Sequence, residues 1–237
     1  MDLSKATDIV SAETLNATNE GLLKMSTKAK VVPGVAKSYT VSKDGKTWTF
    51  NLRHSKWSDG TPVTAKDFVY SWQRTLAPKT ASQYAYIFDH IKNATKYNAG
   101  KASASSLGVK ADGNYKLVVT LSKPQSYFKY LVANAQFFPQ KQSAVKKFGS
   151  KYGTQSKYMV YNGPFKLTGW SGTNDSWTMV KNSNYWNKKD IKLDKMKIQV
   201  SKDPSTTLNQ YNTDKLDVAT LTGSQPVSYT HLTLPTK

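Results

Sequence analysis

The side chains of this chain that could do chemistry are few: His54 and His90, the quartet Ser143-Ala144-Val145-Lys146, and the aspartates Asp214 and Asp217. A histidine becomes a metal ligand when further His, Cys or carboxylate groups stand at ligand spacing. Neither histidine has such a partner, so each reads as a surface or capped residue. Ser-x-x-Lys is the nucleophile motif of serine acyl enzymes, but the companion Lys-Thr-Gly is absent. The quartet reads instead as a basic helix face. Asp214-Lys215 reads as turn chemistry before a strand, not as half of an acid pair. With no cysteine in the chain, disulfides, thiolate metal sites and Cys nucleophiles are excluded. No Gly-rich phosphate loop is present. The pattern points away from an enzyme, and no metal or cofactor is expected.

The elements that would position a site are more informative. In Trp48-Thr49-Phe50-Asn51-Leu52-Arg53, the residues Trp48, Phe50 and Leu52 share one face of a strand. Asp59-Gly60 marks a turn, and Thr64 with Asp67 has the spacing of a capping box. Ala65, Phe68, Val69, Trp72 and Leu76 then follow the rhythm of an amphipathic helix that Pro78 ends. Hairpins are expected at Asp44-Gly45, at Asp112-Gly113, and between Phe165–Trp170 and Trp177–Val180. Helices are expected at 11–24, 64–77, 126–134, 141–149 and 204–213, and a half-buried strand at 196–200. The mixture lacks a strict βαβ rhythm, so the fold class is α+β or mixed α/β.

Composition sets the outer bounds. The 237 residues, 38% of them hydrophobic and 12% aromatic, suffice for one large or two small domains. No apolar run approaches the length of a membrane span, and Met1-Asp2-Leu3-Ser4-Lys5 lacks the apolar core of a signal peptide. The balance of 34 Lys and Arg against 15 Asp and Glu gives a charge of +19. The lysines are dispersed, with a modest concentration at Lys141, Lys146, Lys147 and Lys151. A solvated basic surface is the reading, with a specific polyanion site as its alternative and no nucleic-acid partner expected; such a surface is attracted to anionic envelope polymers and lipids.

The run from Trp48 to Trp72 resembles the signature region of the family 5 extracellular solute-binding proteins, the oligopeptide-binding components of ABC importers. The resemblance extends over residues 2–225 through Glu20-Gly21-Leu22-Leu23, Pro33-Gly34-Val35-Ala36, Leu121-Ser122-Lys123-Pro124, Asn162-Gly163-Pro164-Phe165, Asn184-Tyr185-Trp186 and Leu216-Asp217-Val218-Ala219. It implies a periplasmic-binding-protein-like type II (cluster C) fold. By that likeness, residues 1–19 and 140–225 belong to the first lobe and 20–139 form an extra subdomain, while the second lobe is missing. Gly21 and Gly34 are expected to allow close backbone approach or a positive φ.

The same resemblance implies strand-like pairing of a peptide main chain with the segment Thr7-Asp8-Ile9, and a ligand-side tyrosine at Tyr84. Thr7 stands where a relative has a carboxylate. The implied function is capture of oligopeptides for ABC permease subunits, outside the cytoplasm and lipid-anchored in the full-length protein. Within the family the solute could instead be a dipeptide, haem or a metal chelate. A basic cell-surface adhesin or chaperone is the reading from another class. The closing segment 226–237, which contains His231, is similar to a translated sequencing adapter. It is expected to be foreign, and the chain to be truncated at both ends.

Overall fold

A computed structural model describes residues 1–223 and 225–227. The chain divides into two units, Met1–Lys197 and Ile198–Lys237. The first opens with α1 (Ile9–Thr18), whose N-cap is Asp8; its carboxylate accepts the Ser11 N–H at 2.8 Å. The helix was expected at 11–24, and it starts earlier and stops sooner. Asn19 turns extended, and a Cβ on Gly21 would stand 2.5 Å from the Phe138 ring. That close approach needs glycine and leaves no room for another helical turn. The chain becomes β1 (Leu23–Met25), paired antiparallel with β2 (Val31–Pro33).

β3 (Ala36–Val41) and β4 (Thr47–Leu52) follow as the expected hairpin, with Gly45 at φ +69° in its turn. After α2 (Ala65–Leu76) and the short α3 (Ala94–Asn98) comes the hairpin β5 (Val109–Ala111) and β6 (Lys116–Thr120). These strands form one antiparallel sheet in the order β3-β4-β6-β5. Trp48, Phe50 and Leu52 on β4 are buried, and Thr47, Thr49 and Asn51 on the other face are half-exposed. The capping box of α2 is closed, with the Asp67 carboxylate accepting the Thr64 N–H at 2.8 Å. The helix ends at Leu76 because Ala77, preceding Pro78, is forced to ψ 131°.

α2 lays Ala65, Phe68, Trp72 and Leu76 against this sheet, all of them buried. Phe88 and Phe137 stack with centroids 4.2 Å apart, and Trp72 meets Phe137 edge-on at 5.2 Å. The helix expected at 126–134 shrinks to one turn, α4 (Phe128–Leu131), followed by a 3-10 turn at Ala135–Phe137. The α ladder ends at Val132, whose N–H still reaches the Phe128 carbonyl; Ala133 and Asn134 bond only three residues back, to Tyr130 and Leu131, and Asn134 turns extended at ψ 147°. Beyond it, the Trp72 indole N–H donates to the Phe137 carbonyl at 2.9 Å, and the Ser71 hydroxyl to the Phe138 carbonyl at 2.7 Å.

The rest of the first unit contains α5 (Gln142–Phe148), β7 (Phe165–Thr168) and β8 (Ser176–Lys181), with β7 and β8 antiparallel across the polar loop. β9 (Lys195–Gln199) is the third strand of that sheet, in the order β7-β8-β9. In the second unit, Asp203 caps α6 (Pro204–Asn212) by accepting the N–H groups of Ser205 and Thr206, both at 3.0 Å. Among the described residues no helix is long and apolar enough to cross a membrane. Apart from Pro226 and Val227, the closing segment 226–237 lies outside the described residues. The fold is mixed α/β.

Trp72 tests the packing. Trp72→Ala should cost about 3–5 kcal/mol by opening a cavity and orphaning the Phe137 carbonyl. Trp72→Phe keeps most of the volume, and losing the hydrogen bond should cost only about 1–2 kcal/mol. Urea denaturation of both variants checks the ranking; equal stabilities would remove Trp72 from the core.

Candidate functional site

Two clefts in the first unit carry the residues of interest. The smaller, of about 360 Å³, is lined by Thr7, Asp8, Ser11, Arg74, Tyr152 and neighbouring backbone. Its wall is a polar network. Arg74 grips Asp2 with two hydrogen bonds of 2.6 Å and donates a third, also 2.6 Å, to the Gln140 side-chain oxygen. Gln140 is fully buried and donates to Ser4 at 2.8 Å and Ser71 at 3.0 Å. Ser4 in turn bonds Thr75 at 2.8 Å. A Cβ on Gly153 would lie 2.8 Å from the Asp2 nitrogen, so glycine lets the chain pass here. Together these contacts tie the N-terminal segment to α2 and to residues 140–153.

That anchoring presents Thr7 exposed and just before the extended Asp8. Neither the N–H nor the C=O of Thr7 makes a backbone hydrogen bond among the described residues. Ile9 is exposed at 70%, and its N–H belongs to the first helical turn, whose donors have no intrahelical partner. The exposed Asp8 caps α1 with its carboxylate. Burial works against its charge, but hydrogen bonds from Ser11 outweigh it, and the carboxyl is held below its ordinary range. Tyr84 is half-buried near Tyr86, with ring centroids 6.3 Å apart. Thr7 and Asp8 line the cleft; Ile9 and Tyr84 do not.

The larger cleft, of about 520 Å³, borders Asn19, Glu20, Lys24, Tyr130 and Tyr185. Glu20 is only 4% exposed and fully engaged. It accepts from the Tyr185 hydroxyl at 2.6 Å, the Trp186 indole at 2.6 Å and the Lys24 ammonium at 3.1 Å. Its own backbone is bracketed by Asn162, which accepts the Glu20 N–H at 3.1 Å and donates to the Glu20 carbonyl at 2.8 Å. Arg53 lies over the Trp186 ring at 3.7 Å and donates to the Gly34 carbonyl at 2.7 Å. A Cβ on Gly34 would come within 2.6 Å of the Gly21 carbonyl. Four motifs that are weak singly therefore meet at one point. Sequence reasoning missed this carboxylate as a hub; its being one of only two glutamates, inside a recognisable motif, was the available signal.

The other candidates scatter. His54 packs on Tyr115 at 4.0 Å between ring centroids. His90 is held by Gln125 at 3.2 Å and Tyr127 at 3.0 Å. Ser143 and Lys146 are exposed on α5, and no hydrogen bond joins them. Asp214 sits at φ +58°, as a turn residue does. No group of three or more His, Cys, Asp and Glu able to hold a metal occurs among the described residues.

Comparison with known proteins sets this geometry in context. Residues 30–232 match the family model described as "Bacterial extracellular solute-binding proteins, family 5 Middle". The chain is 39% identical over 225 residues to the dipeptide-binding protein of Lactococcus lactis subsp. cremoris (strain MG1363), covering 93% of this chain and 41% of that one. It is 42% identical to the periplasmic oligopeptide-binding protein OppA of Salmonella typhimurium, over 84% of this chain and 37% of that protein. The solved structure of Listeria monocytogenes OppA bound to peptide superimposes with a TM-score of 0.93 at 43% identity, covering 98% of this chain and 46% of that chain. The chain thus spans less than half the length of these relatives.

Two measurements test the buried polar chemistry. Glu20→Ala should cost about 3–5 kcal/mol, because it strands the Tyr185 hydroxyl and Trp186 indole, while Tyr185→Phe should cost about 1.5–3 kcal/mol. A Glu20→Ala protein as stable as the parent in urea would remove the hub. Separately, burial pushes the Tyr152, Tyr161 and Tyr185 phenols above the ordinary 10.0, with the Glu20 charge adding to it at Tyr185. Above that pH the unfolded chain sheds these protons and the folded chain holds them. Stability should be full below pH 10 and fall above it, tyrosinate absorbance rising only with unfolding. Ionisation of all three phenols in the folded protein would contradict their burial.

Proposed function

Since the chain belongs to the bacterial extracellular solute-binding proteins of family 5, we propose that it forms part of a protein that captures short peptides outside the cytoplasm and hands them to the permease subunits of an ABC importer. In this reading the peptide is bound non-covalently and released unchanged, and a lipid anchor holds the protein at the membrane. Residues 1–19 and 140–225 contribute to the first lobe and 20–139 form the extra subdomain. The buried apolar cluster running from Leu22 to Phe137 supports that subdomain boundary. A second lobe closes over the ligand.

The observation that carries the proposal is the open backbone at Thr7. An exposed N–H and C=O before an extended residue, with the Ile9 N–H two residues on, provide the alternate-residue edge to which a peptide adds as a strand. Such pairing reads main chain and ignores side-chain identity. Asp8, capping α1, fixes where that edge stops. Tyr84 lies on the ligand side by family likeness.

Calorimetry with short peptides of unrelated sequence, dipeptides included, tests this on the intact secreted protein. All should bind, and methylating a single backbone nitrogen of the peptide should weaken binding by about tenfold, the worth of one well-formed hydrogen bond. Strong dependence on side chains with indifference to backbone methylation would overturn the main-chain mechanism. Accumulation of cleaved peptide in proportion to the protein would overturn the transport reading.

A further inference from the structure

From Gly113 to Asn174 the chain runs for 62 residues without an aspartate or glutamate while carrying nine lysines. Within this stretch α5 and the turns after it gather the charge. Lys147 sits over the Phe148 ring at 5.6 Å, and Phe148 packs against Tyr158 with centroids 5.6 Å apart. Lys151 and Lys157 both lie over Tyr158, at 5.7 Å and 5.1 Å. Two ammonium groups sharing one ring are held within about a Debye length of each other, so each feels the other's repulsion. Lys146 adjoins them, exposed on α5.

No ion pair offsets this cluster: Lys146, Lys147, Lys151 and Lys157 make none among the described residues. Asp59 is committed to Lys141, Asp2 to Arg74, and Asp8 to the cap of α1. Like charges placed together without counter-charge favour an external polyanion. The patch also offers no exposed large apolar side chain among the described residues, Phe148 and Tyr158 being half-buried. It therefore has nothing to insert into a bilayer and no free ring on which unstacked bases could lie.

We propose that the Lys146, Lys147, Lys151 and Lys157 face is a docking surface for a linear phosphate-backbone polymer, such as a phosphodiester chain of the cell envelope. The polymer holds the protein near the envelope by charge alone. This role does not rest on the peptide-capture reading, although the segment that carries Lys151 also borders the cleft at Thr7.

The test uses long-chain inorganic polyphosphate as the probe and the whole 237-residue chain. One variant carries Lys→Gln at all four positions; a matched control carries Lys28→Gln, Lys37→Gln, Lys43→Gln and Lys79→Gln, with the same net charge. The cluster variant should lose about tenfold or more in affinity at physiological salt and flatten the plot of log affinity against log salt by about three units, while the control stays close to the parent. A third variant, Lys→Arg at the four positions, keeps the charge and should keep binding, which separates charge loss from misfolding. Equal losses in cluster and control variants would show only diffuse attraction and overturn the proposal. So would loss of binding in a folded arginine variant, or tighter binding to phosphatidylglycerol vesicles than to polyphosphate.

Discussion

The first unit depends on one constraint: a carboxylate taken out of water must have every strong acceptor position filled by a donor. Glu20 is such a carboxylate. Its donors come from Lys24, Tyr185 and Trp186, and its backbone from Asn162. An ion left unsatisfied at that depth would cost several kcal/mol, a large part of a domain's net stability. The segments from 20 to 24, 33 to 36, 162 to 165 and 184 to 186 are therefore placed by one demand. The turn at Ser58 joins them, its N–H bonding the Tyr161 carbonyl at 2.6 Å and its carbonyl accepting from Asn184 at 3.0 Å.

In the proposed reading the recognisable motifs of the chain are therefore not themselves the site. Glu20-Gly21, Pro33-Gly34, Asn162-Gly163 and Tyr185-Trp186 build the frame. The edge proposed to face the peptide is at Thr7, in a stretch of ordinary composition. A main-chain reader needs only an extended backbone with free groups, and that leaves little trace in residue type. The Asp2, Arg74 and Gln140 network does the remaining work of holding that edge in place.

What was legible in the sequence was whatever a short window determines. Trp48, Phe50 and Leu52 alternate, Thr64 and Asp67 cap, and Asp44-Gly45 and Asp112-Gly113 turn, because each answers to neighbours within a few residues. The fold class and the ends of α2 followed from these. The helix expected through residue 24 failed because Gly21 answers to Phe138, over a hundred residues away. The helix expected at 126–134 stops early because Ala133 and Asn134 bond three residues back and Asn134 turns extended. Asp8 was read toward a ligand, and its position before Ile9 also made it a cap, a local signal that was available. The saturation of Glu20 had no local signal beyond its motif.

The Glu20 hub also bears on the order in which the chain acquires structure. Its hydroxyl and indole donors lie 165 and 166 residues downstream. During synthesis, N-terminus first, the carboxylate stays hydrated until those residues arrive. The apolar cluster from Leu22 to Phe137 can collapse without it, on contacts of shorter reach. The lock on residues 162–186 closes last. A chain built this way delays its final commitment until almost two hundred residues have been made.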